Sequence, residues 1–173
     1  NTKPIAAYFA GISNIAQREV RASSGPDVVL DYYDDFEGYE KLLKKYVNSL
    51  VTEYKQAKLS PTDIVILTSD KQYVLDVSKK ILTELVLPLV PYHRSLKENQ
   101  ICWSTVHAYK GLEAMAVILV GITDLHSIES RRLFYVGASR ARTHLVALLP
   151  NSTEDQIIEA LPRIMSALNG RLV

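Results

Sequence analysis

Apolar residues follow two alternating patterns along the chain: short continuous runs rich in β-branched residues, and longer stretches with helical spacing. The continuous runs predict strands buried on both faces, as in a parallel sheet, at residues 27–33, 64–67, 89–92, 101–106, 115–120 and 144–149. Helical spacing predicts helices at about 2–16, 36–57, 71–86, 130–141 and 153–168, the last ended by Asn169 and Gly170. This alternation predicts one α/β domain around an open, mainly parallel sheet, with ligands at the carboxyl ends of the strands.

Composition excludes several classes of protein without indicating a function. Of 173 residues, 47% are apolar and 23% are charged, which is ordinary for a globular domain. Lys plus Arg number 20 against 19 Asp plus Glu, so the net charge is +1 and any nucleic-acid site must be local. Cys102 is the one cysteine, which excludes an internal disulfide.

The N-terminal stretch favours neither a signal peptide nor a membrane span. Its apolar positions Ile5, Phe9 and Ile12 have helical spacing, and polar residues follow at once. No apolar run approaches the roughly 18 residues of a span. We expect a cytoplasmic protein without membrane contact and, from its abrupt start, a fragment of a longer polypeptide.

A first segment with candidate chemistry, residues 104–113, follows a predicted strand directly. It gathers Thr105, His107, Lys110 and Glu113 around Gly111, where the sheet is predicted to end. Spacing alone favours an ordinary connecting loop with solvated charges, and a ligand site at the sheet edge is the other interpretation.

The second segment, residues 131–142, is the one clearly basic patch, because no acidic residue occurs between 131 and 151. Arg140 is predicted at the end of a helix, just before a strand. There it can cap the helix C-terminus through the dipole, or reach a phosphate with its planar guanidinium. The residues alone leave both roles open.

Together the two segments resemble motifs V and VI of the UvrD/Rep-like superfamily 1 DNA helicases. Motif V of that family reads close to T-x-H-x-x-K-G-L-E and motif VI close to R-R-L-x-Y-V-A/G-x-T/S-R-A. Both occur here in order, within a resemblance that covers residues 63–150 and extends only loosely to 1–60.

The resemblance implies a RecA-like three-layer fold and, for residues 1–173, the second, C-terminal motor domain of an ATP-dependent DNA helicase. It implies ATP and Mg²⁺ as cofactors of the full-length protein. The implied partners are single-stranded or partly duplex DNA and a first RecA-like domain of the same polypeptide.

The resemblance also implies roles for individual residues. Arg140 matches the arginine that reaches the γ-phosphate, and it is therefore the expected catalytic residue. Gly111 and Glu113 are expected to contact the nucleotide with it. Thr105, His107 and Lys110 are expected to contact single-stranded DNA, and no residue is expected to ligate a metal. Tyr109 is the one tyrosine for which base stacking is considered.

Departures from the family pattern qualify these expectations. The sequence contains no Gly-Lys dipeptide, hence no G-x-x-x-x-G-K-[ST] phosphate loop, and no Asp-Glu pair follows an apolar strand. We therefore expect the isolated domain to be inactive and to hold no nucleotide. Only residues 69–100 separate the strand at 64–67 from motif V, which predicts a compact variant without a large inserted subdomain.

Two other functions stay open. Asp31, Asp34, Asp35 and Glu37 cluster after the first predicted strand, where a metal-dependent nuclease would need carboxylates. The simpler interpretation is a polar turn with Asp34 or Asp35 as the N-cap of the next helix. The second alternative is a helicase-derived module that binds nucleic acid or protein without catalysis.

Overall fold

The computed structural model describes residues 1–14, 24–77, 79–93 and 95–169. Its strands are β1 (Val29–Tyr33), β2 (Ile64–Thr68), β3 (Leu89–Pro91), β4 (Ile101–Thr105), β5 (Ala114–Val120) and β6 (Ala141–Pro150). Its α-helices are α1 (Lys3–Ser13), α2 (Phe36–Gln56), α3 (Gln72–Leu75), α4 (Lys79–Glu84), α5 (Ile128–Ala138) and α6 (Glu154–Leu168). The predicted continuation of the first helix to residue 16 and the predicted stop at Gly170 lie outside the described residues.

The described strands form one sheet in the order β1-β6-β5-β2-β4-β3, and every neighbouring pair is parallel. The prediction of an α/β fold with a mainly parallel sheet is therefore confirmed. Because all strands point the same way, their last residues share one side of the sheet, the carboxyl edge. Their first residues share the opposite side, which we call the amino edge.

Helices cover both faces of the sheet and produce the three-layer RecA-like arrangement. Alternate residues of the central strand β2 point to opposite faces. Val65 and Leu67 join the core beneath α1, α5 and α6, whereas Ile64 and Ile66 join the core beneath α2, α3 and α4. All five residues of β2 are buried, which explains the continuous apolar run over residues 64–67.

Two glycines allow close packing of the layer formed by α1, α5 and α6. A Cβ atom on Gly11 of α1 would lie 2.5 Å from Cγ1 of Ile164 in α6. One on Gly137 of α5 would lie 2.7 Å from Cδ1 of Leu119 in β5. Either added atom would force the helix away from its neighbour, so the layer depends on both glycines.

The prediction of one helix over residues 71–86 is wrong, because the structure has the two shorter helices α3 and α4. Tyr73, Val74 and Asp76 are weak helix formers, so propensity does not hold a long helix together here. Val74 and Val77 are both buried in the core under α2, and packing of the two valines decides the path of the chain. Among the described residues, no helix is long and apolar enough to cross a membrane.

Candidate functional site

Residues 106–113 connect β4 to β5 and run from the carboxyl edge to the amino edge of the sheet. Both strands pair with β2, and the register places Thr105 and Val120 level with Thr68 at the carboxyl edge. The connection ends at Ala114, the first residue of β5, at the amino edge. Because β5 has seven residues, the two ends lie about 20 Å apart.

This crossover is built from helical turns with a buried inner side. The Tyr109 N–H donates to the Thr105 carbonyl at 3.0 Å, and the Leu112 N–H donates to the Tyr109 carbonyl at 3.2 Å. Val106 and Tyr109 are buried in the core shared with α1, α5 and α6. The buried ring of Tyr109 excludes the base-stacking role considered for it.

The expectation that the polar residues of this segment gather at one sheet edge is therefore wrong. Thr105 ends β4 at the carboxyl edge, and Glu113 directly precedes β5 at the amino edge. The reason is the short crossover between parallel strands, which must traverse the sheet. One motif thus supplies side chains to two separate places.

At the carboxyl edge, hydrogen bonds hold the backbone. One candidate side chain is also hydrogen-bonded, and the others are exposed. The Val106 N–H donates to the Thr68 carbonyl at 2.9 Å. The Thr105 hydroxyl accepts from the Ala108 N–H at 3.2 Å, so it caps the first turn of the crossover. His107 is exposed, as is Lys110 farther along the crossover.

Arg140 lies in the turn between α5 and β6, not inside a helix. The predicted helix over 130–141 is Ile128–Ala138 in the structure, with Ser127 as its N-cap and Ser139 as its C-cap. The Arg140 carbonyl accepts from the Ala114 N–H at 3.0 Å, and this bond starts the pairing of β5 with β6. The helix ends early because the chain has to enter that strand.

The Arg140 guanidinium is held by three acceptors of the protein. Its Nε donates to the Val136 carbonyl at 3.1 Å, and its Nη1 donates to the Leu112 carbonyl at 3.3 Å. Its Nη2 donates to the Ser139 hydroxyl at 2.9 Å. The contact with Val136, in the last turn of α5, confirms the capping interpretation. Because each terminal nitrogen carries a second N–H, donors also remain for a ligand.

Two of the three residues predicted to contact a nucleotide, Arg140 and Glu113, lie together at the amino edge. Arg140 bonds the backbone on both sides of Glu113, and the Glu113 Oε2 atom lies 4.0 Å from Nε of Arg142. Gly111 has a φ of +85°, and a Cβ atom there would meet nothing within 4 Å. Glycine is therefore required at this position by backbone conformation and not by packing.

A β-bulge follows Arg140 directly. Ala141 pairs with Ala114, but the next pair joins His144 to Ala116, so β6 carries one extra residue here. His144 is then positioned against α2, with its Nδ1 atom 3.3 Å from the Tyr54 hydroxyl and its Nε2 atom 3.3 Å from Oε1 of Glu53.

Burial raises the pKa of Tyr54 to about 12, which keeps its hydroxyl protonated beside His144. Sequence reasoning identified His144 only as the start of a strand. No local signal could have found this contact, because the three side chains meet only when α2 packs on β6.

Two further polar side chains brace the two ends of α5, one of them beside Arg140. The Asn1 amide donates to the Ser139 carbonyl at 2.9 Å and to the Ala141 carbonyl, so the start of α1 lies beside Arg140. Arg131 donates from Nη1 to the Leu125 and His126 carbonyls at 3.2 and 2.8 Å. Arg131 therefore fixes the loop that precedes α5.

The four carboxylates of the acidic cluster considered for a nuclease each contact different groups of the protein. Asp31 accepts from the Tyr46 hydroxyl at 2.7 Å and from Lys45 at 3.2 Å. Although burial opposes it, these hydrogen bonds hold the pKa of Asp31 below its usual value. The Asp35 carboxylate accepts from the Gly38 N–H at 2.8 Å, which confirms it as the N-cap of α2.

The remaining two carboxylates of this cluster also have partners: Asp34 contacts Asn151, and Glu37 pairs with Lys41. In the part of the chain that the structure describes, no group of three or more His, Cys, Asp or Glu side chains is arranged to hold a metal ion. The geometry therefore gives no support to a nuclease.

Comparison with protein families matches residues 100–148 to the UvrD-like helicase C-terminal domain. Both motifs lie within this match, and the resemblance stated from them is confirmed over these residues. No curated protein sequence matches the chain.

Among solved structures, the chain is similar to the C-terminal domain of a possible DNA helicase from Lactobacillus plantarum WCFS1. The identity is 16%, the TM-score is 0.69, and 92% of each chain is covered. It is also similar to the C-terminal part of the Fun30 ATPase domain, with 16% identity, a TM-score of 0.47, and coverage of 75% of this chain and 47% of that one. The first of these likenesses supports the RecA-like fold.

Proposed function

We propose that this chain, whose residues 100–148 match the UvrD-like helicase C-terminal domain, is the second motor domain of an ATP-dependent DNA helicase. In this proposal it supplies the arginine finger and part of the single-stranded DNA track. It is inactive without a first motor domain of the same polypeptide. It forms one compact domain, with α3, α4 and β3 filling residues 69–100.

The observation that carries the proposal is the separation of the two candidate sites by one rigid crossover. His107 lies near the carboxyl edge and Glu113 lies at the amino edge, and the buried residues Val106 and Tyr109 fix the segment between them. A motor needs a nucleotide site and a polymer site that are distinct and mechanically joined. A connection of this kind can pass a displacement at one edge to the other.

The amino edge fits a nucleotide phosphate. Arg140 keeps N–H donors for a phosphate oxygen while its three contacts with the protein fix the position of the guanidinium. Such a group stabilises the negative charge that develops on a transferred phosphoryl group, because no reorganisation is needed at the moment of reaction. In the proposal, Gly111 and Glu113 line the nucleotide beside it.

Magnesium is assigned to the first motor domain. The described residues offer no group of three or more metal-ligating side chains, and the sequence has no phosphate loop. Mg²⁺ would neutralise charge on the nucleotide phosphates there. The part of this chain is to position Arg140 against the γ-phosphate.

The DNA track is assigned to the exposed side of the crossover, from His107 near the carboxyl edge to Lys110 farther along. His107 and Lys110 have exposed side chains that can contact phosphates, while the Thr105 hydroxyl is occupied as a cap. We therefore propose that Thr105 acts by shaping the turn. The single-stranded polymer would be held through its backbone, since the described groups offer charge and no base-reading pair.

The alternative of a non-catalytic binding module rests on one observation. Arg140 has a structural role of its own, because it caps α5 and ties it to the crossover. An arginine at this position would therefore persist even in a domain that had lost ATP hydrolysis.

The two functions separate when ATP turnover of the full-length protein is measured with and without single-stranded DNA. Motor function predicts DNA-stimulated hydrolysis that Arg140→Ala abolishes. His107→Ala should retain basal hydrolysis and lose the stimulation by DNA. If the unmodified full-length protein hydrolyses no ATP in this assay, the result would support the binding module. Equal loss of basal activity in both variants would contradict the assignment of two separate edges.

A further inference from the structure

Helix α6 carries an exposed apolar row that is separate from both sheet edges. We call Ile158, Leu161, Pro162 and Met165 the outer stripe. Their spacing of three and four residues places them along one side of the helix. Ile158, Leu161 and Met165 are 54%, 40% and 52% exposed. Single exposed apolar residues are common on proteins, but a continuous row on one helix marks an interaction surface.

Helix α6 cannot rotate to bury the outer stripe, because the neighbouring side of the helix is already packed in the core. Ile157, Ala160 and Ile164 are buried against the core with α1. The Arg163 Nε atom donates to the Gly11 carbonyl at 2.9 Å, and Gly11 packs closely against Ile164 of α6. Rotation of the helix would break these contacts.

Pro162 adds a polar acceptor to the stripe. Proline has no N–H, so the carbonyl oxygen of Ile158 lacks the donor that a regular helix would supply from residue 162. Helix α6 continues through this position at a cost of about 3 kcal/mol relative to alanine. The stripe therefore combines apolar side chains with a carbonyl that a cationic side chain could approach.

The charges beside the stripe are all negative in the first half of the helix. Glu154, Asp155 and Glu159 are exposed, and residues 154–162 contain no Lys or Arg. Within the described part of the chain, none of the three forms an ion pair. Negative charge repels nucleic-acid phosphates and anionic lipid surfaces alike, so the complementary partner is a basic polypeptide.

We propose that the outer stripe of α6 is a docking surface for a basic amphipathic helix of another protein. Apolar side chains of that helix cover the stripe, and its Lys or Arg residues face Glu154, Asp155 and Glu159. The surface lies on the outer side of the helical layer, so docking leaves both sheet edges accessible. The proposal is independent of ATP hydrolysis and DNA binding.

A helical peptide of leucine and lysine, labelled for fluorescence anisotropy, is the probe for this surface. We expect Leu161→Gln with Met165→Gln to weaken its binding by about tenfold or more, since each loses apolar contact. The matched control is Leu75→Gln, which alters a 56% exposed leucine on α3 and should leave binding unchanged. Circular dichroism verifies that the variants are folded.

Reversal of charge tests the choice of partner. Asp155→Lys with Glu159→Lys should shift preference to a peptide of leucine and glutamate. Binding that is insensitive to the stripe variants, or equal affinity for both peptides in the unmodified protein, would overturn the proposal. Sedimentation showing a dimer that Leu161→Gln dissociates would also overturn it, because the stripe would then cover a second copy of the chain.

Discussion

The two edges of the sheet hold their candidate side chains in different ways. At the amino edge, three hydrogen bonds fix the Arg140 guanidinium. Arg140 also bonds the backbone of Leu112 and Ala114, the two neighbours of Glu113 in the chain. At the carboxyl edge, the backbone of the crossover is fixed, but His107 extends into solvent. Chemistry on a phosphoryl group needs donors within a few tenths of an ångström, whereas contact with a polymer of changing sequence needs only charge on a rigid frame.

The largest expected effect is at Arg140. Arg140→Ala in the full-length protein should lower ATP turnover by roughly 10³-fold, because the developing charge loses its stabilising donor. Nucleotide binding should change far less, since the contact strengthens in the transition state. Arg140→Lys should restore little activity, because lysine lacks the planar fork. Steady-state hydrolysis and nucleotide titration measure both quantities.

The effect of Arg140→Ala on stability must be measured separately from its effect on catalysis. Arg140→Ala also removes the donors to Val136 and Leu112, so we expect a lower melting temperature. Turnover is therefore compared per folded molecule, with Arg132→Ala, an exposed arginine of α5, as the control. A variant that is destabilised yet fully active would leave Arg140 with the capping role alone.

The next effect concerns the backbone that leads to the amino edge. Gly111→Ala should destabilise the domain by about 1–2 kcal/mol, because its φ of +85° is unfavourable for any residue with a Cβ atom. Thermal or urea unfolding measures the change. The comparison variant is Gly25→Ala, whose added Cβ would lie 2.2 Å from the Thr2 side chain. Its loss of stability would report a steric clash, whereas the loss at Gly111 reports backbone strain. No loss of stability at Gly111 would contradict the strained turn.

A smaller effect tests the link between the edges. The Tyr109 hydroxyl donates to the Glu113 carbonyl at 3.3 Å, so it ties the buried crossover to the start of β5. Tyr109→Phe should cost about 1 kcal/mol of stability and weaken the stimulation of ATP turnover by DNA. Tyr92→Phe alters the ring that packs 5.2 Å away and serves as the control. Unchanged stimulation in both variants would show that this hydrogen bond carries no coupling.

The smallest effect is expected for DNA binding by the exposed side chains of the crossover. The isolated domain should bind single-stranded DNA with a dissociation constant of about 10⁻⁴ M or weaker, because the net charge is only +1 and few contacts are available. Lys110→Ala should reduce the slope of log affinity against log salt by about 0.7, the share of one contact. Lys55→Ala, on α2, should leave the slope unchanged. Tight binding that resists salt would contradict a track made of phosphate contacts.

The sequence alone was sufficient for the fold class, the strand cores and the helicase resemblance. Continuous β-branched runs such as 64–67 are typical of strands in a parallel sheet, because helices on both faces of such a sheet bury every side chain of the strand. The caps at Asp35 and Ser127 likewise follow from local hydrogen bonding, although only the first was predicted.

Only the tertiary structure decided where the functional side chains lie relative to one another. The distance between Thr105 and Glu113 depends on β4 and β5 pairing with the same strand, and no local pattern encodes that pairing. The contacts of Arg140 with Leu112, and of His144 with Glu53, join residues far apart in sequence. Side-chain type and spacing are set by the covalent chain, but the meeting of distant residues is set by packing of the whole core.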